Sequence, residues 1–442
     1  MKKGKVVLVG TGFVGMSMAY TMLNRGGVSE LVLVDIDKDK TIGEQMDLSH
    51  GLPFAPQKMI IKAGDYDECK DAQVVVITAG IAQKPGQTRL ELAETNTKIM
   101  KQITQNIMAS GFNGVIIVAS NPVDLMAYVV AKVSGLPKNQ VFGSGTVLDT
   151  ARLRYLMSDY LKVSSKNIHA YIMGEHGDSS FVPWNHAYVG CKKMKDIMKD
   201  GNHPMEDLEK IHQDVVNAAY EIINKKKATY YGIGMALSKI VKSVIDNDNS
   251  ILTVSTYLKD GEYGQDDIYI GVPAIINGNG VRELLNLELT DEEQAKLDNS
   301  CKIIKEMREE SIDKISSVKS PTKITLYQMS NYPEAINYAK LYCQKNSNIT
   351  YEELTDASQR PDLQEKYSLG TSITSAVVIV EANNRDKIVS ANDFYAYDNT
   401  TYQQYDVTEQ KMTNAILDVN LETNPKIYFS TTHAQDSNYY QV

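Results

Sequence analysis

In this 442-residue chain, a histidine that lies between two glycines is the side chain whose chemistry best suits proton transfer. His176 lies in GEHGDSS, after the apolar run AYIM, and Asp149 and Arg152 share VLDTARLR. A carboxylate that binds one imidazole nitrogen fixes the tautomer and stabilises the imidazolium. An arginine fork holds a carboxylate through two parallel hydrogen bonds. The three residues therefore indicate acid–base chemistry on an anion. A surface loop histidine and an ordinary helix ion pair are the alternatives.

Two loops carry further side chains that could bind a substrate. AGIAQKPGQTR, residues 79–89, breaks out of the β-branched run VVVIT into glycine and proline. Its polar side chains are chiefly Gln83, Lys84, Gln87 and Arg89. SNPVD places Asn121 after an apolar run, where its amide could bind a substrate oxygen; a turn asparagine before proline is the alternative.

A glycine-rich turn indicates a dinucleotide site. In GTGFVG, Gly10 permits the tight turn, Gly12 lets the backbone approach a pyrophosphate, and Gly15 lets the helix pack on the strand. Asp35 follows about 20 residues later, at the end of the next apolar run, where it would accept hydrogen bonds from ribose hydroxyls. Its charge would repel a 2′-phosphate, which favours NAD over NADP. A cluster of turn glycines with a solvated aspartate is the alternative.

The elements that must position these residues alternate along the chain. KVVLVG, ELVLVDID, AQVVVITAG and GVIIVAS read as buried strands, and VGMSMAYTMLNRG reads as a helix. This order predicts an α/β fold with a doubly wound parallel sheet, in which ligands bind at the carboxyl ends of the strands. The candidate residues from Gly10 to Asn121 all follow such strand ends.

Composition excludes several classes of protein. A net charge of −9 argues against nucleic-acid binding. The four cysteines lie far apart without a CxxC pair, which suits a reducing cytoplasm better than disulfides or a metal site. The basic and then apolar N-terminus superficially resembles a signal peptide, but glycines interrupt its short apolar run, so we interpret it as a strand. No run of about 20 apolar residues occurs.

The use of glycine and tyrosine changes near residue 318. Gly370 is the sole glycine beyond that point, whereas half of the 26 tyrosines lie there. We therefore expect a nucleotide-binding domain over residues 1–144, an α+β substrate domain over residues 145–318, and an appended small α/β unit over residues 319–442.

The ordered motifs GTGFVG, VDID, AGIAQKPGQTR, SNPVD, LDTARLR, GEHGDS and ATYYGIG resemble those of NAD-dependent L-lactate dehydrogenases of the bacterial type. The resemblance implies that His176 accepts the proton in lactate oxidation and donates it in pyruvate reduction, oriented by Asp149. Arg152 would clamp the substrate carboxylate, and Arg89 would swing in on a mobile loop to polarise the carbonyl. Further substrate contacts are expected from Asn121, Asp124 and Thr229. The cofactor positions implied are Gly10, Gly12, Val14, Gly15, Asp35, Tyr66, Gly80, Ile81, Asn121 and Ser144.

Substrate choice depends on Gln83. In the related malate enzymes the resemblance implies arginine at this position, which would pair with a second carboxylate. A neutral glutamine would leave that carboxylate desolvated and unpaired. The sequence thus favours pyruvate and lactate, and a malate or other 2-hydroxy-acid dehydrogenase is the alternative.

The resemblance also implies regulation. Arg154 and His169 match positions that bind fructose 1,6-bisphosphate between subunits of the allosteric homotetramers of this family. Interface charges without an effector are the alternative. Two departures are evident: Lys227 stands where the family usually has glycine, and the Gly278–Gly280 segment has glycine where the family often carries a basic residue.

The tail is expected to be catalytically inert. SAVVIVEANNRDKIVSANDFYAYD and NPKIYFSTTHAQ weakly resemble part of a gliding-motility-type ABC-transporter accessory protein, without the usual glycines around His433 and without the usual membrane helix. A protein that docks on a transporter through this tail is the alternative function.

Overall fold

The computed structural model describes residues 4–81, 89–199, 203–316, 318–370, 376–397, 404–406 and 408–420. The chain divides into two compact units, Met1–Arg308 and Glu309–Val442. This division falls about ten residues before the domain boundary that we expected from composition. Among the described residues, no helix combines the length and the apolar character that crossing a membrane requires.

Six parallel strands form the part of the first unit that carries the glycine-rich turn. They are β1 (Lys5–Val9), β2 (Glu30–Val34), β3 (Ile60–Ala63), β4 (Val74–Ile77), β5 (Val115–Val118) and β6 (Val141–Gly143). Their order is β3-β2-β1-β4-β5-β6, with every neighbouring pair parallel. Val7 and Val9 of β1 enter one hydrophobic core, and Val6 and Leu8 enter another. The doubly wound topology is confirmed, and its strand order reverses between β1 and β4.

Helices cover both faces of this sheet. In chain order, the helices up to residue 316 are α1 (Phe13–Arg25), α2 (Lys38–His50), α3 (Arg89–Ala109), α4 (Val123–Ser134), α5 (Val147–Leu161), α6 (Met194–Met198), α7 (Met205–Lys226), α8 (Tyr231–Asp246) and α9 (Asp291–Ser316). Met22 of α1 and Val244 of α8 share one core. Ile107 of α3 and Val130 of α4 share the other. Apolar side chains at helical spacing thus bury both faces of the parallel strands, as the continuous apolar runs of the sequence require.

Three antiparallel strands extend the same sheet beyond β6. They are β10 (Ser250–Leu258), β11 (Ile268–Asn277) and β12 (Gly280–Leu284), and β10 meets β6 through the pair Ser255 and Gly143. A Cβ added at Gly143 would lie 3.0 Å from that of Ser255, so glycine permits this close approach. A separate small sheet holds β7 (Ile168–His169), β8 (Tyr188–Val189) and β9 (Lys192–Lys193).

The second unit is a small α/β fold of its own, as the pattern of the tail predicts. Its strands are β13 (Thr322–Tyr327), β14 (Ile349–Leu354), β15 (Val377–Ala382), β16 (Arg385–Ser390), β17 (Tyr395–Tyr397) and β18 (Gln404–Asp406). Its helices are α10 (Pro333–Lys345), α11 (Pro361–Tyr367) and α12 (Thr408–Asn420). The main sheet has the order β14-β13-β15-β16. The segment NPKIYFSTTHAQ, which contains His433, lies outside the described residues.

Candidate functional site

The six parallel strands bring the predicted cofactor residues to one edge of the sheet. Because carboxyl ends of parallel strands share an edge, each strand delivers its following residues to the same crevice. In strand order, Gly10 follows β1, Asp35 follows β2, Tyr66 follows β3, Gly80 and Ile81 follow β4, Asn121 follows β5, and Ser144 follows β6.

The glycines of the first turn differ in the space around them. Gly10 has φ +105°, and a Cβ there would lie 2.6 Å from the backbone nitrogen of Ala79. A Cβ at Gly15 would lie 2.1 Å from the carbonyl oxygen of Gly10. Gly12 immediately precedes α1, whose first turn contains Val14. A Cβ added at Gly12 would meet no described protein atom within 4 Å. Protein atoms therefore crowd Gly10 and Gly15, whereas the space beside Gly12, at the N-terminus of α1, is open. This open space fits a bound pyrophosphate.

Asp35 is fixed beside this turn. One of its carboxylate oxygens accepts hydrogen bonds from the backbone N–H of Thr11 at 2.6 Å and from the Thr11 hydroxyl at 3.0 Å. The other oxygen accepts from the N–H of Asp37 at 3.3 Å. The negative charge thus stands at the rim of the crevice, where it suits ribose hydroxyls and opposes a 2′-phosphate.

Asn96 organises the neighbouring loops, and sequence reasoning missed it. This buried residue of α3 accepts from the N–H of Ile81 at 2.9 Å and donates to the Asn121 carbonyl at 2.7 Å. The segments after β4 and β5 are therefore joined through one amide. An asparagine in a helical pattern gives no spacing signal of its own, so the sequence alone could not have singled it out.

His176, Asp149 and Arg152 form a continuous chain of polar contacts. Nδ1 of His176 lies 2.7 Å from one oxygen of Asp149, and a terminal nitrogen of Arg152 donates to the other oxygen at 2.9 Å. The side chain of His176 is 25% exposed, whereas those of Asp149 and Arg152 are 11% and 14% exposed. Asp149 and Arg152 stand on the first turns of α5, and His176 lies in the loop after residue 173. The structure thus brings together the three residues that the sequence selected.

Neighbouring charges favour the protonated form of the His176 imidazole. Burial lowers the pKa of His176, but the charge and the hydrogen bond of Asp149 outweigh burial, so the pKa of His176 is raised above its usual value. Burial conversely raises the pKa of Asp149, yet His176 and Arg152 together hold the pKa of Asp149 below its usual value. The pair therefore favours imidazolium beside carboxylate.

The structure describes some of the remaining predicted substrate residues and not others. Thr229 is half-buried in the connection between α7 and α8, and no described hydrogen bond joins it to His176. Arg89 begins α3, but its side chain lies outside the described part of the structure, as does Gln83 with all of residues 82–88. Asp124 is almost completely buried, and its carboxylate accepts the backbone N–H of His176.

Arg154 and His169 occupy different surroundings. The Arg154 guanidinium donates to the Ala170 carbonyl at 3.0 Å and lies 5.0 Å from the centre of the Tyr171 ring. It lines a cavity of about 550 Å³ together with further basic residues, Arg25, Lys166 and Lys239. His169 is exposed on β7 and does not line this cavity.

Both departures from the family pattern have a local structural setting. Lys227 caps the C-terminus of α7 with φ 73°, in the left-handed region where glycine is unstrained. Gly280 has φ +95°, and a Cβ there would lie 2.1 Å from the Asn139 carbonyl oxygen, so this hairpin requires glycine. Lysine is thus tolerated at a position suited to glycine, whereas a basic side chain at Gly280 would not fit. Among the described residues, no group of three His, Cys, Asp or Glu side chains could hold a metal ion.

Two family models match most of the first unit. Residues 4–143 match the NAD-binding domain of the lactate/malate dehydrogenases, and residues 146–315 match the α/β C-terminal domain of the same family. These ranges contain the glycine-rich turn and the chain from His176 to Arg152.

Individual relatives agree with the family models. The chain is 55% identical over 309 residues to L-lactate dehydrogenase 2 of Bacillus anthracis, which covers 69% of this chain and 98% of that protein. It is 54% identical over 309 residues, with the same shares, to L-lactate dehydrogenase 1 of Bacillus cereus.

Solved structures show the same relationship. A lactate dehydrogenase from a deep-sea metagenome library of the Medee basin is 55% identical with a TM-score of 0.68, covering 70% of this chain and 98% of that chain. The ligand-bound minor L-lactate dehydrogenase of Enterococcus mundtii is 48% identical with a TM-score of 0.67, covering 69% and 97%. The chain therefore belongs to the lactate/malate dehydrogenase family, and its first domain is the NAD-binding domain of that family.

Proposed function

We propose that the protein is an NAD-dependent L-lactate dehydrogenase that interconverts pyruvate and (S)-lactate. The observation that carries this proposal is the contact chain from His176 through Asp149 to Arg152, at 2.7 and 2.9 Å, in a chain 55% identical to L-lactate dehydrogenases. The free thiols of the buried Cys69 and Cys301 suit a cytoplasmic setting.

His176 is the acid–base group in this scheme. Because Nδ1 is engaged by Asp149, Nε2 is the nitrogen left to face a substrate oxygen. The raised pKa keeps the ring protonated at higher pH, ready to donate to the carbonyl oxygen of pyruvate. In the reverse direction the neutral ring accepts the hydroxyl proton of lactate, and Asp149 stabilises the imidazolium that forms.

Arg152 would orient the substrate, and Arg89 would polarise it. One terminal nitrogen of Arg152 donates to Asp149, and no described hydrogen bond uses the other, so the guanidinium can donate hydrogen bonds to a substrate carboxylate. Arg89 would stabilise charge that develops on the carbonyl oxygen. Asn121 and Thr229 would complete the pocket.

The crevice at the strand ends holds the cofactor in this scheme. Gly10, Gly12 and Gly15 shape the pyrophosphate turn, and Asp35 receives the ribose hydroxyls. Further contacts come from Val14, Tyr66, Gly80, Ile81, Asn121 and Ser144. When bound, NADH supplies the hydride for pyruvate reduction.

Substrate preference and regulation extend the proposal. A neutral Gln83 favours the methyl group of pyruvate over the second carboxylate of oxaloacetate. The four basic side chains around the cavity at Arg154 favour a phosphorylated effector, for which fructose 1,6-bisphosphate is our candidate. We place that effector between subunits of a homotetramer. The exposed His169 of β7 would be a second contact there, although it does not line this cavity.

One assay tests cofactor, substrate and regulation together. NADH oxidation is followed with pyruvate and with oxaloacetate, each with and without fructose 1,6-bisphosphate. We expect pyruvate to be preferred and the bisphosphate to activate. His176→Ala should slow pyruvate reduction at least about 100-fold. A preference for oxaloacetate, or a fully active His176→Ala variant, would overturn the assignment.

A further inference from the structure

Asp124 is a buried carboxylate that contacts the backbone of the proposed acid–base residue, His176. Asp124 lies in the first turn of α4, which follows β5, and only 1% of the residue is exposed. Its Oδ2 accepts the backbone N–H of His176 at 2.9 Å, across 52 residues of sequence. A side chain so buried has no exposed surface to offer a substrate. Its contact instead ties the His176 loop to the helix that follows Asn121.

The surroundings of Asp124 contain few groups that could neutralise it. The backbone N–H of His176 donates to one oxygen of Asp124. The Ser255 hydroxyl of β10 is nearby, but neither that hydroxyl nor the second oxygen of Asp124 has a hydrogen-bond partner among the described residues, and Glu175 adds a second negative charge. Cys301 of α9 also faces Asp124, and burial raises the pKa of that thiol to about 12, so it stays neutral. Cationic charge near Asp124 is therefore provided by the protonated ring of His176 itself.

We propose that Asp124 is a positioning residue for His176, whose buried charge stabilises the imidazolium in addition to the stabilisation by Asp149. This inference rests on the proposed acid–base role of His176. Asp149 binds the ring at Nδ1, whereas Asp124 binds the backbone of the same residue, so the two carboxylates restrain different parts of it. The charge of Asp124 acts in the same direction on the ring as that of Asp149.

Titration of Asp124 gives this arrangement a pH dependence. Desolvation raises the pKa of Asp124 to about 6, although the His176 N–H and the charge of the His176 ring partly oppose that rise. Asp124 therefore carries its charge above about pH 6 and loses it below. His176 must be protonated to donate its proton to pyruvate. Above about pH 6 Asp124 is charged, and this charge favours the protonated form of His176.

The test is the pH profile of Asp124→Asn, which keeps the size of the side chain and an acceptor for the His176 N–H. Loss of the charge should lower the pKa of His176, so the alkaline limb of kcat/KM for pyruvate should move to lower pH by at least about 0.5. NADH affinity, measured by fluorescence quenching, should stay unchanged, since Asp124 does not reach the glycine turn. Asp196→Asn, which removes an exposed carboxylate of α6, is the matched control.

A thermal measurement separates this role from simple misfolding. Because the pKa of Asp124 is raised above the unfolded value of 3.8, its charged form disfavours folding as pH rises from about 4 through about 6. The melting temperature of Asp124→Asn relative to the unmodified protein should therefore rise from about pH 4 to about pH 6 and change little at higher pH. An unshifted kcat/KM profile in a folded Asp124→Asn variant overturns this inference. Absence of pyruvate-dependent NADH oxidation in the unmodified protein instead overturns the proposed function.

Discussion

Nδ1 of His176 lies 2.7 Å from Oδ2 of Asp149, although 27 positions separate the two residues in sequence. Arg152 holds the second oxygen of the same carboxylate at 2.9 Å, so the carboxylate cannot rotate away from the ring without breaking a charged hydrogen bond. Because the Asp149 side chain is only 11% exposed, water screens the pair weakly. The proton affinity of His176 thus depends on a fixed neighbouring charge, which can be removed by a single substitution.

Asp149→Asn should lower pyruvate reduction at least about 100-fold and move its alkaline limit to lower pH. The charge and the hydrogen bond of Asp149 raise the pKa of His176, so without them the ring loses its proton at lower pH. Rates of NADH oxidation across pH measure both effects. Asp159→Asn removes an exposed carboxylate, paired with Lys162, from the same helix and should change neither. Equal profiles for the Asp149 and Asp159 variants would contradict the role of Asp149.

Gly12→Ala should weaken NADH binding while leaving the fold intact. An added Cβ at Gly12 meets no described protein atom within 4 Å, so melting temperature should not fall. The same methyl would stand where we place the pyrophosphate, and we expect affinity to drop at least about tenfold, a loss of about 1.4 kcal/mol. Gly43→Ala, also without a described neighbour within 4 Å, is the control on α2. Unchanged NADH affinity in Gly12→Ala would place the cofactor elsewhere.

Gln83→Arg should shift preference from pyruvate towards oxaloacetate. A guanidinium would pair with the second carboxylate of oxaloacetate and would have no partner when pyruvate is bound. The ratio of kcat/KM for the two substrates should change at least about 100-fold, since a hydrogen bond to a charged group contributes about 1.5–3 kcal/mol. Gln87→Arg adds the same charge to the same loop and should leave the ratio close to its original value. If both variants shifted the ratio equally, net charge rather than position 83 would set the preference.

Much of the first unit could be predicted from sequence because its signals are local. The apolar runs that became β1, β2, β4 and β5 need burial on both faces, which only a helix-covered parallel sheet provides. The glycine turn has strict steric demands, and Gly15 shows why, since any Cβ would strike the Gly10 carbonyl. The motifs around His176 and Asp149 were recognisable by type, and the fold then brought them together.

Contacts that depend on tertiary approach could not be read from the sequence. Asn96 joins two loops through one amide, and Asp124 supports a backbone N–H far along the chain. Neither residue type is unusual at its position, because asparagine in a helix and aspartate in a first helical turn are ordinary. Their importance arises from burial and from partners that only the assembled sheet supplies.

Lys227→Gly should stabilise the first unit. Lys227 adopts φ 73° at the C-terminus of α7, where a side chain is strained and glycine is not. We expect the free energy of unfolding to increase by about 0.5–1 kcal/mol, measured by denaturant titration. Lys210→Gly, at an exposed position inside α7, should instead destabilise by up to about 1 kcal/mol. A destabilising effect at both positions would show that the left-handed backbone at Lys227 carries no cost.

Deletion of residues 319–442 should leave pyruvate-dependent NADH oxidation intact. Every residue that we assign to the relay, the substrate pocket and the cofactor crevice precedes residue 230, and the family models end at residue 315. Relatives that match 69% of this chain are covered over 98% of their own length, so the first unit corresponds to a whole dehydrogenase. The deletion retains all of α9, Asp291–Ser316, which supplies Leu297 and Ile304 to the core beside α3 and α4. The full chain at equal molar concentration is the reference, with circular dichroism to verify folding. A folded truncation that no longer oxidises NADH would give the tail a part in catalysis or in assembly of the active form, and would favour a protein organised around that tail.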